Sequence, residues 1–163
     1  MKVQPFKTSI FREDEDLFAF VSKHIKKIPE DSILVVTSKI VSLAEGRTIE
    51  YKSKKQKSEL IKKESDFILP KNNLFTIKDG MVMAFAGVDE SNGNGRIILL
   101  PKDSYRSAEN LRKKLKAKFH LKNLGVLITD SGFIPLRNGA VGMAIGYAGF
   151  LGVRNYVGKK DIF

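Results

Sequence analysis

The alternation of small and large side chains between residues 140 and 148 restricts the fold of this chain more than any other feature of its sequence. Small residues occupy every second position and large apolar residues lie between them: Ala140, Val141, Gly142, Met143, Ala144, Ile145, Gly146, Tyr147 and Ala148. Because side chains alternate across a strand, the pattern predicts a strand with one face of only small residues. Such a face lets a flat ligand or another backbone approach closely, and packing of the sheet on a helix explains it equally well.

Two aspartates follow predicted strands. The apolar run Leu124 to Thr129 leads directly into Asp130-Ser131-Gly132, and Asp89 lies in the loop GVDESNGNGR after the predicted strand Met81 to Ala86. Sheets of α/β proteins tend to place ligands at such strand ends. Asp, Ser, Asn and Gly are also ordinary turn residues, so the spacing alone favours turns over a ligand site.

The remaining elements predict a mixed α/β fold, a single domain built from one layer of mixed sheet with packed helices. Helical spacing indicates a helix from Asp14 to Ile28, capped by Asp14 and stopped by Pro29. Ile33 to Val36 and Ile97 to Leu100 resemble buried strands, and Leu74 to Ile77 and Met81 to Ala86 form a hairpin around Lys78-Asp79-Gly80. Ser104 or Ser107 is expected to cap a helix with the inner stripe Leu111, Leu115 and Phe119.

The balance of charge favours polyanionic partners. The chain has 163 residues, enough for one domain with a core, and a formal net charge of +11. Lysines concentrate in a polar segment at about residues 47–70, expected to be an exposed helix, and again between residues 112 and 122. Neither cluster carries the interleaved aromatic residues of a single-strand binding platform, so a solvated surface is favoured over nucleic-acid binding.

Composition also limits the possible chemistry. The chain has no cysteine and only two histidines, so any metal is expected to bind oxygen ligands. A divalent cation such as Mg²⁺ or Mn²⁺ would suit the two aspartates if phosphate groups and water completed its coordination. No apolar stretch is long enough to span a membrane and the N-terminus lacks the apolar block of a signal peptide, which predicts a cytoplasmic protein.

Five motifs, in order, resemble those of the coenzyme F-420:L-glutamate ligase (F-420-0:gamma-glutamyl ligase) family. They are SKIVSLAEGR from Ser38, AGVDESN from Ala86, LLPKDSYRSAENLRKKL from Leu99, ITDSGFIPLRNGAVGMAIGYAG from Ile128 and YVGKKDIF from Tyr156. The resemblance covers most of the chain and implies a single gamma-glutamyl ligase-like domain over residues 1–163. Several ordered motifs are far more specific than one short motif.

The resemblance implies an enzyme that joins L-glutamate to a deazaflavin coenzyme (F-420-0) or a related carboxylate through an amide bond, with GTP and Mn²⁺ or Mg²⁺. It implies Asp89, Asp130 and Ser131 as metal ligands, Ser38, Lys39 and Asn92 as nucleotide or phosphate contacts, and a homodimer. Two alternatives stay open from the residues: a non-catalytic relative that keeps a metal or phosphate site, and a basic nucleic-acid-associated protein.

The chain also departs from the family's usual pattern. Leu43 replaces a lysine, and the apolar residues Phe133 and Ile134 replace charge after the Asp-Ser pair. The region between Arg47 and Phe75 is shorter than in usual members, and family chains continue well beyond the position of Phe163. The two changes of residue type replace charged side chains that a phosphate-binding site would use.

Overall fold

The structure is a computed structural model that describes residues 2–69, 75–91, 93, 95–134 and 136–160. Its central element is a three-stranded mixed sheet in the order β1 (Ser32–Thr37), β7 (Leu124–Gly132), β8 (Val141–Ala148). β1 and β7 are parallel and paired from Ser32↔Leu124 to Thr37↔Thr129, and β7 and β8 are antiparallel. The chain belongs to the mixed α/β class predicted from its sequence.

Two helices, α2 (Ser38–Ala44) and α4 (Ser104–Phe119), pack on this sheet, and α1 (Leu17–His24) packs against both of them. α4 lies on β7 and β8 and presents the predicted stripe, in which Leu111 and Leu115 are buried and Phe119 partly so. These side chains meet Val126 and Ile128 of β7 in the main core. Full burial of one such aliphatic side chain contributes about 1.5–3 kcal/mol, so this interface stabilises the packing of α4 on the sheet.

Two predicted helix caps were wrong by one or two residues. α1 begins after Asp16, whose Oδ1 accepts a hydrogen bond from the Ala19 amide, whereas Asp14 lies in a preceding turn with φ of 62°. α4 is capped by Asp103, which accepts from the Arg106 amide at 2.9 Å, and Ser107 instead donates its hydroxyl to Glu45. A carboxylate accepts hydrogen bonds from the free amides of a first turn as well as a serine hydroxyl does. The residue at which the helix begins therefore decides which side chain is the cap.

The strands of the described residues are divided among three small sheets and do not form one continuous sheet. β2 (Thr48–Glu50) pairs with β6 (Arg96–Ile98), and β3 (Phe67–Ile68), β4 (Phe75–Lys78) and β5 (Met81–Ala84) form an antiparallel meander. The hairpin between β4 and β5 turns at Asp79 and Gly80, both with positive φ, as expected of an Asp-Gly turn. Leu74, assigned to this hairpin from sequence, lies outside the described residues.

The lysine-rich segment contains α3 (Lys54–Glu64) between β2 and β3. Most of its lysines are exposed, but Ile61 is buried with Val88, Ile97 and Leu99 in a second apolar cluster. Glu64 is paired with Arg47 at 2.9 Å and with Lys78 at 3.0 Å. Ile61 and Glu64 thus connect the helix to the rest of the domain through an apolar cluster and an ionic cluster.

A β-bulge divides the strip of small residues that the sequence placed on one face of β8. Ile128 pairs with Gly146 and Thr129 with Ala144, so Ile145 is the extra residue between them. Gly146 and Ala148 consequently share the face of Ile128 and Val126, whereas Gly142 and Ala144 share the face of Ser131 and Thr129. The prediction of one small face was wrong because strict alternation fails at a bulge.

Within the described part of the chain, every helix is too short or too polar to cross a membrane.

Candidate functional site

A cavity of about 470 Å³ opens where β1 and β7 end and where the chain leaves β5. Its size lies in the range of small-ligand sites. The wall combines hydroxyl, carboxylate and ammonium groups with an apolar part, and its residues are Thr37, Ser38, Lys39, Ser42, Met83, Ala84, Phe85, Gly87, Val88, Asp89, Ile98, Leu99, Leu100, Thr129, Asp130, Ser131, Phe133 and Gly142. The five described residues that the sequence predicted for the site all line this one cavity.

Ser38 and Asp130 are brought together by the parallel pairing of β1 and β7. Thr37 and Thr129 are paired, so the residues that follow them, Ser38 at the start of α2 and Asp130 within β7, are neighbours. Ser38 Oγ donates a hydrogen bond of 2.7 Å to Asp130 Oδ1, and Ser38 is only 2% exposed. Asp130 lies inside β7, not in the loop expected after it, because β7 continues to Gly132 by pairing with β8. The buried hydroxyl fixes the orientation of the carboxylate.

Asp89 is held by a cation and by the loop that follows it. Lys39 Nζ lies 2.6 Å from Asp89 Oδ2, and Ser91 donates its amide to Oδ1 at 2.7 Å and its hydroxyl to Oδ2 at 2.9 Å. Partial burial opposes ionisation of Asp89, but the bonds from Lys39 and Ser91 outweigh it and lower the pKa of the carboxyl below its ordinary value. Asp89 is therefore an anion at neutral pH.

A left-handed turn between β5 and Asp89 sets the direction of this loop. Phe85, Ala86 and Gly87 have φ of 53°, 52° and 71°, a conformation that non-glycine residues rarely adopt. The Ala86 amide donates to Thr76 Oγ1 at 2.7 Å, and the same hydroxyl donates to the Met83 carbonyl at 2.9 Å. Thr76 is fully buried. One buried hydroxyl thus ties together both ends of a strained turn, and Asp89 follows it.

Two of the predicted site residues, Ser131 and Asn92, have no contact described with the two aspartates. Ser131 is exposed, and as the next residue of the strand its side chain leaves the face opposite to Asp130. Asn92 lies outside the described residues. The metal roles of Asp89, Asp130 and Ser131 and the phosphate roles of Ser38, Lys39 and Asn92 stay predictions.

The donor set fits a hard divalent cation that shares its coordination with a ligand. Asp89 and Asp130 supply carboxylate oxygens on the cavity wall. Across the described ranges, no three acidic or histidine side chains gather closely enough to hold a cation without other ligands. Mg²⁺ commonly takes one or two carboxylates and completes its shell with phosphate oxygens and water. A cation held by Asp89 and Asp130 would therefore need further ligands such as phosphate oxygens or water.

Comparison with known proteins identifies the family of this fold. The family model for F420-0:Gamma-glutamyl ligase matches residues 5–163. The chain belongs to this family.

Three curated relatives, each named coenzyme F420:L-glutamate ligase, show how much of the family's length the chain covers. The protein of Archaeoglobus fulgidus is 31% identical over 100% of this chain and 74% of its own length. That of Methanopyrus kandleri is 32% identical over 93% and 68%. That of Methanocaldococcus jannaschii is 43% identical over 64% of this chain and 40% of its own. The chain thus spans between 40% and 74% of the length of these relatives.

The structure shows whether two departures from the gamma-glutamyl ligase pattern, at Leu43 and Phe133, affect the cavity. Leu43, where the family usually has a lysine, is absent from the described lining of the cavity, so its replacement leaves the charge of that wall unchanged. Phe133, by contrast, lines the cavity and is 53% exposed. The second departure therefore makes the rim of the cavity apolar.

Sequence reasoning missed several residues of this gamma-glutamyl ligase cavity. Ser42 follows Ser38 by one helical turn, a spacing that places both on one face of α2 and was visible in the motif SKIVSLAEGR. Leu100 carries no comparable signal, because a leucine in a strand pattern is ordinary. The same holds for Thr76, which does not line the cavity but holds the turn that precedes Asp89. Leu100 approaches so closely that a Cβ at Gly87 would lie 2.4 Å from its Cγ.

Proposed function

We propose that the chain acts as a GTP- and divalent-cation-dependent ligase that adds L-glutamate to F420-0 or a related carboxylate substrate. Two observations support the proposal: the family model matches residues 5–163, and Ser38, Lys39, Asp89 and Asp130 surround one cavity. The curated relatives are named as ligases of coenzyme F420 and L-glutamate. The cavity is the observation that carries the proposal, because it combines anionic metal ligands with a cation for phosphate.

The proposed reaction has two steps. A carboxylate oxygen of the substrate attacks the γ-phosphorus of GTP, the bond between that phosphorus and the β–γ bridging oxygen breaks, and GDP leaves. The amine of L-glutamate then attacks the acyl phosphate, so that the new C–N bond replaces the C–O bond and inorganic phosphate and a proton are released. Catalysis of phosphoryl transfer depends mainly on positioning and charge stabilisation.

Each side chain has a role that its contacts support. Asp89 and Asp130 would hold Mn²⁺ or Mg²⁺, which neutralises phosphate charge when bound. Ser38 keeps the Asp130 carboxylate oriented through its 2.7 Å hydrogen bond. Lys39 is paired with Asp89 at 2.6 Å and is about one-third exposed, so its ammonium can turn to phosphate oxygens when a cation takes its place at the carboxylate. The catalytic base for the glutamate amine stays unassigned.

Thermal unfolding with GTP and Mn²⁺ tests the binding part of the proposal. Ligand at about 100 times its Kd stabilises a folded protein by about 2.7 kcal/mol, so the wild-type melting temperature should rise by several degrees. Asp89→Asn and Asp130→Asn should lose this rise. Glu90→Gln is the matched control, because Glu90 adjoins Asp89 but pairs with Lys57 at 3.2 Å outside the cavity.

Turnover is tested separately by phosphate release that requires both F420-0 and L-glutamate. Stabilisation by GTP and Mn²⁺ without release would favour the non-catalytic alternative. The proposal fails if no nucleotide stabilises the wild-type protein.

We also propose that the chain forms a homodimer. β1 is an edge strand of the central sheet, and its outward side chains Ile33 and Val35 are more than half exposed. Exposed apolar side chains on an edge strand favour association with another chain. Light scattering should give twice the chain mass, and Ile33→Lys with Val35→Lys should give a single chain mass. A monomeric wild-type protein would contradict this proposal.

A further inference from the structure

The hydroxyl of Ser42 is a buried polar group without a hydrogen-bond partner among the described residues. Ser42 is 1% exposed and lines the cavity. A buried hydroxyl that makes no hydrogen bond has lost its contact with water without replacement, and such groups are rare in native proteins. Its position on a cavity wall indicates that a bound molecule supplies the partner.

The surroundings of Ser42 define what kind of group that partner is. The other buried residues of the wall are Ser38, Met83, Val88, Ile98, Leu99 and Leu100. Ser38 already donates to Asp130, and the remainder are apolar. Lys39, the cationic side chain of the described wall, is directed to Asp89 and Ser91. A charged ligand group beside Ser42 would lack a counter-ion, so the group that fits is neutral and hydrogen-bonding.

We infer that Ser42 binds the nucleoside part of the nucleotide, through a hydroxyl, carbonyl or ring nitrogen, while Lys39, Asp89 and Asp130 act on its phosphates. This inference rests on the proposed function. Ser38 and Ser42 lie one turn apart on the same face of α2. Ser38 is at the charged end of the cavity wall, and Ser42 is the hydroxyl at its apolar end. Because Ser42 is closed to solvent, a neighbouring side chain changes rotamer on binding, and the unbranched Met83 can do so readily.

The test compares two ligands and two serine variants by calorimetric titration in the presence of Mn²⁺. GTP carries the nucleoside and inorganic tripolyphosphate does not. Ser42→Ala should weaken GTP binding about threefold to tenfold, the effect of one neutral hydrogen bond, and should leave tripolyphosphate binding unchanged. Ser42→Cys, which keeps the size and loses most of the hydrogen-bonding strength, should show the same difference.

Ser22 provides the matched control. Its hydroxyl on α1 is also buried and without a partner in the described part of the chain, but it does not line the cavity. Ser22→Ala should leave both affinities unchanged. Without ligand, neither alanine variant should melt below the wild type, because each removes a polar group that makes no bond.

Three outcomes overturn the inference. Unchanged GTP binding by Ser42→Ala would show that the hydroxyl does not contact the ligand. An equal loss for GTP and tripolyphosphate would place the contact on phosphate. Equal affinity of the wild-type protein for tripolyphosphate and GTP would show that the nucleoside makes no contact, while leaving the metal–phosphate site intact. Binding of neither ligand would overturn the proposed function as well.

Discussion

The Ala86 amide donates a 2.7 Å hydrogen bond to the hydroxyl of Thr76, a fully buried residue ten positions earlier in the chain. The bond stabilises two successive non-glycine residues, Phe85 and Ala86, in the left-handed region. Such conformations cost about 1–3 kcal/mol each and persist only where surrounding contacts enforce them. The strained turn lies immediately before Asp89, so a residue outside the cavity determines where a proposed metal ligand lies.

Thr76→Val should destabilise the protein by about 1–3 kcal/mol, because an isosteric side chain without a hydroxyl leaves the buried Ala86 amide unpaired. Urea unfolding measures the change. Thr76→Ser keeps the hydroxyl and should retain most of the stability, losing only the contribution of one methyl group. Equal losses in the two variants would show that packing, not the hydrogen bond, makes Thr76 important.

Lys39→Met should raise the pKa of Asp89. Lys39 contributes a direct hydrogen bond and its positive charge to the carboxylate, and partial burial opposes both. NMR titration of the side-chain carboxyl measures the shift. Lys57→Met is the control, because Lys57 pairs with Glu90 instead. A pKa that stays low in Lys39→Met would assign the effect to Ser91.

Glu64→Gln should destabilise the protein by about 1.5–3 kcal/mol at neutral pH, since it removes the acceptor shared by Arg47 and Lys78. Burial raises the pKa of Glu64, but hydrogen bonds and charges from Lys78 and Arg47 lower it below its ordinary value of 4.5. Because the pKa of Glu64 is lower in the folded state than in the unfolded state, ionised Glu64 stabilises the folded state at pH values above the unfolded-state pKa. This stabilisation is lost as the pH falls through the folded-state pKa.

The difference in stability between wild type and Glu64→Gln should therefore be constant above about pH 5 and should shrink in more acidic solution. Denaturant unfolding at several pH values measures it. Glu59→Gln, at an exposed position of the same helix, should show neither effect. A difference that is independent of pH would rule out the ionic cluster as its cause.

Gly146→Ala should destabilise the protein by about 1–3 kcal/mol, whereas Gly142→Ala should change its stability little. A Cβ at Gly146 would lie 2.5 Å from the Ser104 backbone carbon at the start of α4, and one at Gly142 would meet open space. Thermal unfolding of the two variants gives the comparison. Equal effects would contradict the division of β8 by the bulge.

Sequence alone predicted the parts of the site that follow from regular structure. Ser38 and Asp130 each follow a recognisable apolar strand, and parallel strands bring such residues together. The pairing of Asp89 with Lys39 could not be predicted, because the position of Asp89 depends on the turn at Phe85–Gly87. Nothing in the residue types of Phe85 and Ala86 predicts a positive φ.

The bulge at Ile145 shows the same limit within a strand. A periodic pattern predicts which residues share a face only while the pairing is uninterrupted, and one extra residue reverses every later position. The caps of α1 and α4 were misplaced for a related reason, since neighbouring Asp and Ser residues can all act as caps and tertiary packing decides between them.

The paired ends of β1 and β7 have a consequence for how this family can vary in length. Ser38 and Asp130 meet because the parallel ladder ends at Thr37 and Thr129, so the backbone spacing of the sheet sets their separation. Insertion or deletion of one residue in either strand would carry its polar group to the opposite face and separate the two side chains. Side chains in these strands can therefore be exchanged during evolution, while the number of residues in each strand is fixed by the site.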